Sequence, residues 1–394
     1  MAIIKKQISF MALKYRQIII WIFIGLIFIG PMNNGYASET AEVFQKLNGP
    51  CNFSFPRDHA AHPRFKTEWW YYTGNLSTPK KEEFGFQMTL FRVRLNSLPN
   101  ESSPSKRGSP WRTSQAYIGH AAISHINQNR HLSDQTITRA ALGMAGSETL
   151  PQNQTHIYIG NWSIKISPPK HHIKVHTDEF NIKLDLIPEK PWVAHGQGGY
   201  SQKGGHRESA SCYYSFTRMK THGTIEIDST IYQVSGLSWM DREYFNASLE
   251  KNIVGWDWFS LQLSDQSEIM LYLLRQKDDT FHPVSQGTLV DKDGRTRSLS
   301  MNDISIKTLN NWKSDVDETL YPTKWQIIFT SLNLKLQVTT RISNQEMLTK
   351  ETTGIRYYEG SVRITGDKDS KPVHGLGYVE LTGYAQHFDT GQIW

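Results

Sequence analysis

Beyond its first 50 residues, the chain consists largely of short segments in which apolar and polar side chains alternate. Alternation with a period of two places one face of a β-strand in a core and the other in water. Turn-forming pairs such as Asp293-Gly294 and Gly366-Asp367 separate these segments, so the pattern predicts antiparallel strands. The predicted strands cover residues 83–95, 156–166, 172–175, 180–186, 223–234, 256–263, 268–274, 325–330, 334–342, 360–364 and 377–384.

Helical periodicity is brief everywhere beyond residue 50, which predicts an all-β fold of antiparallel barrels or sandwiches. One short helix is predicted within residues 39–49. Residues 96–114 are rich in Ser, Pro and Asn, and they predict a long loop between two strands.

A weak internal repeat indicates how the strands are organised. The segment EWWYYTGNL is followed by an apolar strand ending in arginine, and so is GWDWFSLQL further along. Tyr213-Tyr214 begins a strand pair that closes with GLSWMD, and Tyr357-Tyr358 begins one that closes with GYVEL. We therefore predict two copies of one β unit, joined near residues 245–255. A closed barrel of about eight strands fills its interior or holds one small ligand.

The first 37 residues have the features of a secretory signal peptide. A basic stretch precedes an apolar run over residues 18–30, and Gly35 and Ala37 are small residues suited to signal peptidase. The run is shorter than the ~20 apolar residues of a membrane-spanning helix. We predict cleavage after Ala37 and a periplasmic or cell-envelope location, with an uncleaved anchor as the alternative. The predicted organisation is signal peptide 1–37, N-terminal segment 38–50, first domain 51–248 and second domain 249–394.

Removing this segment changes the charge of the protein. The full chain carries a formal charge of +6, and the first 37 residues hold four basic and no acidic residues, so the remainder carries 6 − 4 = +2. A nearly neutral chain gives no electrostatic reason to expect nucleic acid as a partner. Cys51 and Cys212 are the two cysteines, and outside the cytoplasm they could form one disulfide, which the sequence leaves open.

Four segments, in this order, resemble one family: FPRDHAAHPRFKTEWWYYTGNL, YYSFTRMKTHGTIEI, GLSWMDREY and GWDWFSLQLSDQSEIMLYLLR. They are similar to the bacterial lipocalin-like family that includes AttH-type proteins and carotenoid 1,2-hydratases. The resemblance extends over residues 50–394 and implies two consecutive lipocalin-like, calycin-type antiparallel β-barrel domains. The hydratase branch adds water to a terminal isoprenoid double bond without a cofactor, so no cofactor is expected. The AttH-type branch, which this chain resembles more closely, is often exported and encoded beside ABC-transporter permeases.

Asp241, in the segment WMDREY, matches the acidic position of the hydratase motif. Hydrating an alkene requires an acid that protonates carbon, and a carboxyl group in an apolar pocket suits this step because desolvation keeps it protonated. Trp239 lies two residues earlier, so on a strand it shares a face with Asp241. Where the hydratases are expected to have a histidine, this chain has Cys212 and the tyrosines that follow it, which weakens the hydratase prediction. The alternative is a structural ion pair between Asp241 and an arginine such as Arg242 or Arg218.

Aromatic residues supply the other candidates for ligand contact. Neighbouring residues of the WWYY segment face opposite sides of one strand, and a core role is favoured over a ligand-binding one. His195, in a Gly-rich loop, is the next polar candidate after Asp241, although support of a turn is the simpler interpretation. The remaining histidines lack the spacing of a metal site, so no metal is predicted. The candidate ligand-binding residues are Trp69, Trp70, Tyr72, Tyr213, Tyr214, Trp239, His195, Trp256 and Trp258.

These observations favour an exported, membrane-adjacent protein that binds an apolar or amphipathic lipid and works with an ABC-type exporter permease. The first alternative is a cofactor-independent hydratase of isoprenoid double bonds acting through Asp241. The second is an accessory subunit of the exporter that has no ligand. The sequence favours binding over catalysis.

Overall fold

The structure is a computed structural model that describes residues 44–95, 113–246 and 249–387. The predicted signal peptide and nearly all of the predicted loop at 96–114 lie outside the described residues. Within those described, the helical segments are single 3-10 turns, which confirms the all-β class. The turns are Arg57–His59, Ile126–Gln128, Pro151–Asn153, Met301–Asp303 and Thr330–Leu332.

Twenty-three strands are present in the described part of the chain, and they form two sheets. The strands up to Phe245 belong to the first sheet, and those from Ile253 onward belong to the second. The first sheet contains β1 Thr67–Ser77, β2 Glu83–Arg94, β3 Gln115–His125, β4 Arg130–Arg139, β5 Ala145–Leu150, β6 Gln154–Ile159, β7 Trp162–Ser167, β8 Lys170–His176, β9 Phe180–Pro188, β10 Val193–Ala194, β11 Tyr200–Gln202, β12 Ala210–Ile227 and β13 Thr230–Phe245. The second contains β14 Ile253–Leu263, β15 Glu268–Gln276, β16 Gln286–Val290, β17 Thr296–Ser300, β18 Ile304–Lys313, β19 Leu320–Phe329, β20 Leu334–Thr340, β21 Glu346–Thr349, β22 Ile355–Lys368 and β23 Lys371–Leu381.

Both sheets are antiparallel and follow the same connection scheme around their first strand. In the first, β1 pairs with β2 and with the last strand, β13, which in turn pairs with β12. In the second, β14 pairs with β15 and with its last strand, β23, which pairs with β22. The first sheet curls until β4 approaches β6, giving a nearly closed barrel, and the second curls into a half-barrel. The predicted repeat is therefore present in the fold.

Alternation along each strand separates three apolar layers. Trp70, Tyr72 and Tyr214 belong to the cluster inside the first barrel, and Phe259 belongs to the one inside the second. A third cluster lies between the sheets and includes Tyr71, Tyr213, Trp239 and Trp258. The sheets approach closely there, since a Cβ atom on Gly85 of β2 would come within 2.7 Å of the Ser361 side chain of β22. The described residues all belong to one compact unit.

Four local predictions differ from the structure. Gly366-Asp367, predicted as a turn, lies within β22, and Asp369 and Ser370 make the turn instead. Residues 44–49, the described part of the predicted helix, have no regular secondary structure, and their backbone bonds to another segment, with the Gln45 N–H donating to the Arg64 carbonyl at 3.0 Å. The segments 156–166 and 223–234 are each two strands rather than one. Gly160 and the pair Asp228-Ser229 adopt positive φ angles and make the turns that divide them.

Cys51 and Cys212 form a disulfide, so the possibility left open by the sequence is realised. Cys212 lies on β12, and the bond fastens the segment before β1 to the first sheet. Among the described residues, none of the helices has the length and apolar character needed to cross a membrane.

Candidate functional site

A cleft of about 110 Å³ lies between the two sheets, on the outer face of each barrel. Strand alternation places side chains there, because every second residue of β1, β12, β13, β14, β22 and β23 faces the opposite sheet. Nine aromatic residues line it: Trp69, Tyr71, Phe91, Tyr213, Phe245, Trp256, Trp258, Tyr272 and Tyr357. The cleft also contains four carboxyl groups and one lysine: Asp241, Glu243, Glu359, Glu380 and Lys203.

The structure separates the predicted ligand-binding residues into two groups. Trp69, Tyr213, Trp256 and Trp258 line the cleft. The others lie elsewhere: Trp70, Tyr72 and Tyr214 are fully buried inside the first barrel, while Trp239, in the apolar layer between the sheets, and His195 do not line the cleft. Alternation predicted that half of the WWYY segment would face each way, and the structure shows which half meets the second sheet.

Asp241 lies in the wall of the cleft and accepts hydrogen bonds from three neutral donors. Tyr213 donates its O–H to Oδ2 at 2.6 Å, and Trp239 donates its Nε1–H to Oδ1 at 2.5 Å. Ser215, directly opposite on β12, also donates to Oδ1. Burial raises the pKa of Asp241 to about 7, although the three donors oppose this shift.

The structural alternative for Asp241 was an ion pair with an arginine, and the structure contradicts it. Arg242 points into the opposite face of β13 and pairs with Glu68, because neighbouring residues of a strand face opposite sides. Arg218 pairs with Glu268. Asp241 is therefore a buried carboxyl group held by uncharged donors in the described part of the protein.

His195 reaches Asp241 indirectly. Its Nε2 atom lies 2.7 Å from the Ser215 hydroxyl, and its Nδ1 atom lies 3.0 Å from the Thr288 hydroxyl of the second sheet. Burial, followed by the charge of Lys203, lowers the pKa of His195 to about 3, so the ring is neutral. His195 thus lies behind the Asp241 carboxyl group. The family resemblance implied a histidine on a strand instead, and this chain has no histidine at that strand position.

The same wall contains an ion pair. The Lys203 ammonium lies 2.6 Å from a Glu243 carboxylate oxygen and 3.7 Å from the centre of the Tyr272 ring. Glu243 also accepts a hydrogen bond from Ser211. The pair places a cation and an anion in an otherwise aromatic surface without adding net charge.

The facing wall holds two carboxyl groups on neighbouring strands of the second sheet. Glu359 of β22 is paired directly with Glu380 of β23. Tyr71 donates its O–H to Glu359 at 2.9 Å across the sheets, and Trp256 donates its Nε1–H to Glu380 at 2.9 Å. Burial, together with the charge of Asp241, raises the pKa of Glu380 to about 8. Burial and the neighbouring Glu380 raise the pKa of Glu359 well above its usual value.

Sequence reasoning missed both glutamates and Lys203. One signal was available for Glu380, because the repeat aligned the segments GLSWMD and GYVEL, each of which ends near an acidic residue. The structure makes the equivalence explicit: Asp241 lies opposite Tyr71 of the first strand, and Glu380 lies opposite Trp258 of the fourteenth. Lys203 lies in a loop, where the sequence has no periodic pattern that predicts the direction of a side chain. Tertiary packing places it in the cleft.

Comparisons with known proteins agree with this architecture. The model of the AttH-like family matches residues 46–384. The crystal structure of an AttH-type protein from Nitrosomonas europaea is 30% identical, with a TM-score of 0.73, covering 85% of this chain and 98% of that one. No curated protein sequence matches the chain.

Two further solved structures share the fold at lower identity. Kievitone hydratase from Nectria haematococca is 17% identical, with a TM-score of 0.64, covering 87% of this chain and 98% of that one. CghA, solved with Sch210972, is 10% identical, with a TM-score of 0.51, covering 87% and 97% of the two chains. At these identities the likeness shows the fold alone.

Proposed function

The chain belongs to the AttH-like family, and we propose that it is a cofactor-independent enzyme that adds water to, or removes it from, an unsaturated apolar compound. The observation that carries this proposal is Asp241: a carboxyl group with a pKa of about 7, set in an aromatic cleft. A group that gains and loses a proton near neutral pH suits general acid–base catalysis. The binding-only function favoured by the sequence becomes the second candidate.

The surroundings of Asp241 support proton transfer to or from carbon. Aromatic faces such as those of Trp258 and Tyr213 stabilise a cation formed next to them, as they do other cations. The hydrogen bonds from Tyr213, Trp239 and Ser215 fix the carboxyl group in one orientation. The fold shared with kievitone hydratase makes hydration the first reaction to test.

Incubation in ¹⁸O-labelled water tests the proposal. Acyclic isoprenoids, including lycopene and neurosporene, are mixed with the protein, and mass spectrometry detects a product that has gained one labelled water. We expect the product with the unchanged protein and a rate lowered about 10²–10⁴-fold by Asp241→Asn, because one acid–base group contributes about that factor.

Asp367→Asn, an exposed change at the far end of β22, is the control and should leave the rate unchanged. Circular dichroism of both variants shows whether the fold is retained. If none of the compounds that bind gains water, or if Asp241→Asn hydrates them at full rate, the proposed reaction is wrong.

The second candidate function is binding of an apolar or amphipathic lipid without turnover, and the aromatic lining of the cleft favours it. Trp69, Trp256 and Trp258 provide a signal, because a bound ligand changes tryptophan fluorescence. Native mass spectrometry of protein purified from the cell envelope should then show a co-purifying lipid. A protein that stays empty with fatty acids and isoprenoids alike would contradict both candidates.

We also propose that the protein is exported and works beside an ABC-transporter permease. The basic and apolar N-terminal segment supports export, and so does the Cys51–Cys212 disulfide, since disulfides persist in oxidising compartments. Fractionation of cells should recover the protein outside the cytoplasm, and crosslinking in cells should capture a permease. Recovery in the cytoplasm with both thiols free would contradict export.

A further inference from the structure

We propose that Glu359 and Glu380 form a second proton-transfer centre in the cleft, in which Glu380 gives a proton to the double bond of the substrate while Asp241 takes one from the attacking water. This inference rests on the proposed function and assigns the acid and base roles to opposite walls. The substrate class is an unsaturated apolar compound small enough at its reacting end to fit between the sheets.

The pairing of the two glutamates is built into the strand register. Glu359 and Glu380 lie directly opposite each other on β22 and β23, and both side chains face the cleft. Side chains in such cross-strand positions have Cβ atoms about 4.5–5.5 Å apart, and two like charges there repel. The pair is therefore most stable when at least one of its members is protonated.

The partners of the glutamates differ from those of an ionised pair. Each accepts one hydrogen bond from an uncharged donor, Tyr71 or Trp256. Within residues 44–95, 113–246 and 249–387, neither forms a salt bridge, and the cleft lysine, Lys203, pairs with Glu243 instead. Asp241, in contrast, accepts three hydrogen bonds, which favour its ionised form.

The groups that face the pair come from several strands and one loop. They are Tyr71 of β1, Lys203, Tyr213 of β12, Asp241 and Glu243 of β13, Trp256 of β14, Tyr272 of β15, Tyr357 of β22 and Tyr378 of β23. Burial raises the pKa of Glu380 to about 8; the charges of Asp241 and Glu243 add to the shift, and the Trp256 hydrogen bond and Lys203 oppose it. Because Glu380 accepts one hydrogen bond and Asp241 accepts three, Glu380 is the group that keeps its proton more strongly.

Exposure assigns the roles within the pair. Glu359 is 1% exposed, whereas Glu380 is half-buried and more open to the cleft. Asp241 and Glu380 also line the same cleft, one from each sheet. We therefore assign proton donation to Glu380, while Glu359 keeps the pair protonated behind it.

The proposed step balances without a further reactant. The π electrons of the double bond form a C–H bond with the proton of Glu380, whose O–H bond breaks and leaves a carboxylate. The oxygen of water forms a C–O bond with the resulting cation, and one of its protons passes to the Asp241 carboxylate. The net change is addition of one water. A proton then moves from Asp241 to Glu380, which restores both groups.

The first measurement is made without any substrate. Infrared spectroscopy at pH 7 detects the C=O stretch of protonated carboxyl groups. We expect part of this band to disappear in Glu380→Gln and in Glu359→Gln. Glutamine has nearly the shape of a protonated glutamate, so both variants should fold. Glu346→Gln is the matched control, because Glu346 is a buried glutamate in the second sheet that lies near Arg356 and should not contribute to the band.

The second measurement is the hydration rate. Glu380→Gln should lower kcat at least 100-fold, and Glu380→Asp, which keeps the acid but shortens it, should lose less. Unchanged infrared bands in Glu359→Gln and Glu380→Gln would overturn the inference whether or not a substrate is found. A normal rate in Glu380→Gln beside an inactive Asp241→Asn would overturn it and leave the proposed function standing. Absence of hydration by the unchanged protein would end the proposed function and this inference together.

Discussion

Two regions of the molecule bury carboxyl groups completely. One region surrounds a carboxylate with cations, and the other keeps the acid protonated. At one end of the first barrel, Glu68 is enclosed by Arg92, Arg242 and His62. In the cleft, Glu359 accepts a hydrogen bond from Tyr71 and lies beside the other glutamate of its pair, and it forms no salt bridge with the described residues. Burial favours the protonated form at both places, but the two arginines hold the pKa of Glu68 well below its usual value.

The contrast teaches that burial alone does not set the state of an acid. A buried carboxylate that is paired with fixed cations stays charged and serves the fold, because losing one partner leaves a charge without compensation. A buried acid that has no cation beside it and accepts few hydrogen bonds keeps its proton and can deliver it. Glu68 and Glu359 thus differ in their bonded partners, which are two arginines for Glu68 and one tyrosine hydroxyl for Glu359.

The largest expected effect is a loss of stability when Glu68 is replaced. Glu68→Gln leaves Arg92 and Arg242 without their common anion, and we expect the free energy of unfolding to fall by about 3–5 kcal/mol. Urea denaturation at pH 7 measures this change. Glu318→Gln removes an exposed carboxylate beside Lys313 and should change stability by less than about 1 kcal/mol. Similar values for the two variants would contradict the structural role of Glu68.

The second prediction is that the contributions of the two regions to stability change with pH in opposite directions. Glu68 has a lowered pKa in the folded state, so its contribution to stability is present above the unfolded value of 4.5 and is lost as the pH falls below it. Glu380 has a raised pKa, so its contribution is present below 4.5 and is lost as the pH rises toward about 8. Each group changes stability by at most about 1.4 kcal/mol per pH unit.

Denaturation midpoints measured from pH 3 to pH 9 check this prediction. Relative to the unchanged protein, Glu68→Gln should flatten the acid side of the profile, and Glu380→Gln should flatten the decline between pH 4.5 and pH 8. If both variants altered the same side, the two carboxyl groups would not be in opposite states.

The smallest expected effect is that of a single neutral hydrogen bond. Tyr71→Phe removes the hydroxyl that donates to Glu359 and should cost about 1 kcal/mol of stability, while the infrared band of the protonated pair remains. Tyr158→Phe is a control, because its hydroxyl donates to the exposed Glu148 at the surface. Loss of the band in Tyr71→Phe would show that the tyrosine, rather than burial and repulsion, keeps the pair protonated.

The sequence predicted the architecture well because its signals are local and periodic. Alternation and turn residues identify strands, and the repeated aromatic segments indicate two copies of one β unit. Alternation also puts Trp256 and Trp258 on one face of β14. It does not say whether that face is turned toward a barrel interior or toward the other sheet, since both surfaces are apolar here.

The candidate site was harder to predict because it is assembled from both copies. Asp241 was found through a motif, whereas Glu359 and Glu380 lie in segments that resemble ordinary strands. The link from His195 through Ser215 to Asp241 joins a loop to two strands, and only the folded chain brings them together. The sequence therefore located Asp241 and aromatic residues of both walls, and it missed the carboxyl groups of the second sheet.

The position of the cleft between the two copies of the β unit has a consequence for how such a protein could arise. Each copy supplies one wall, with Asp241 on the first and Glu380 on the second. An ancestral single unit would have carried either carboxyl group on an open surface. Only after duplication and fusion of the gene would selection have had an enclosed site to act on.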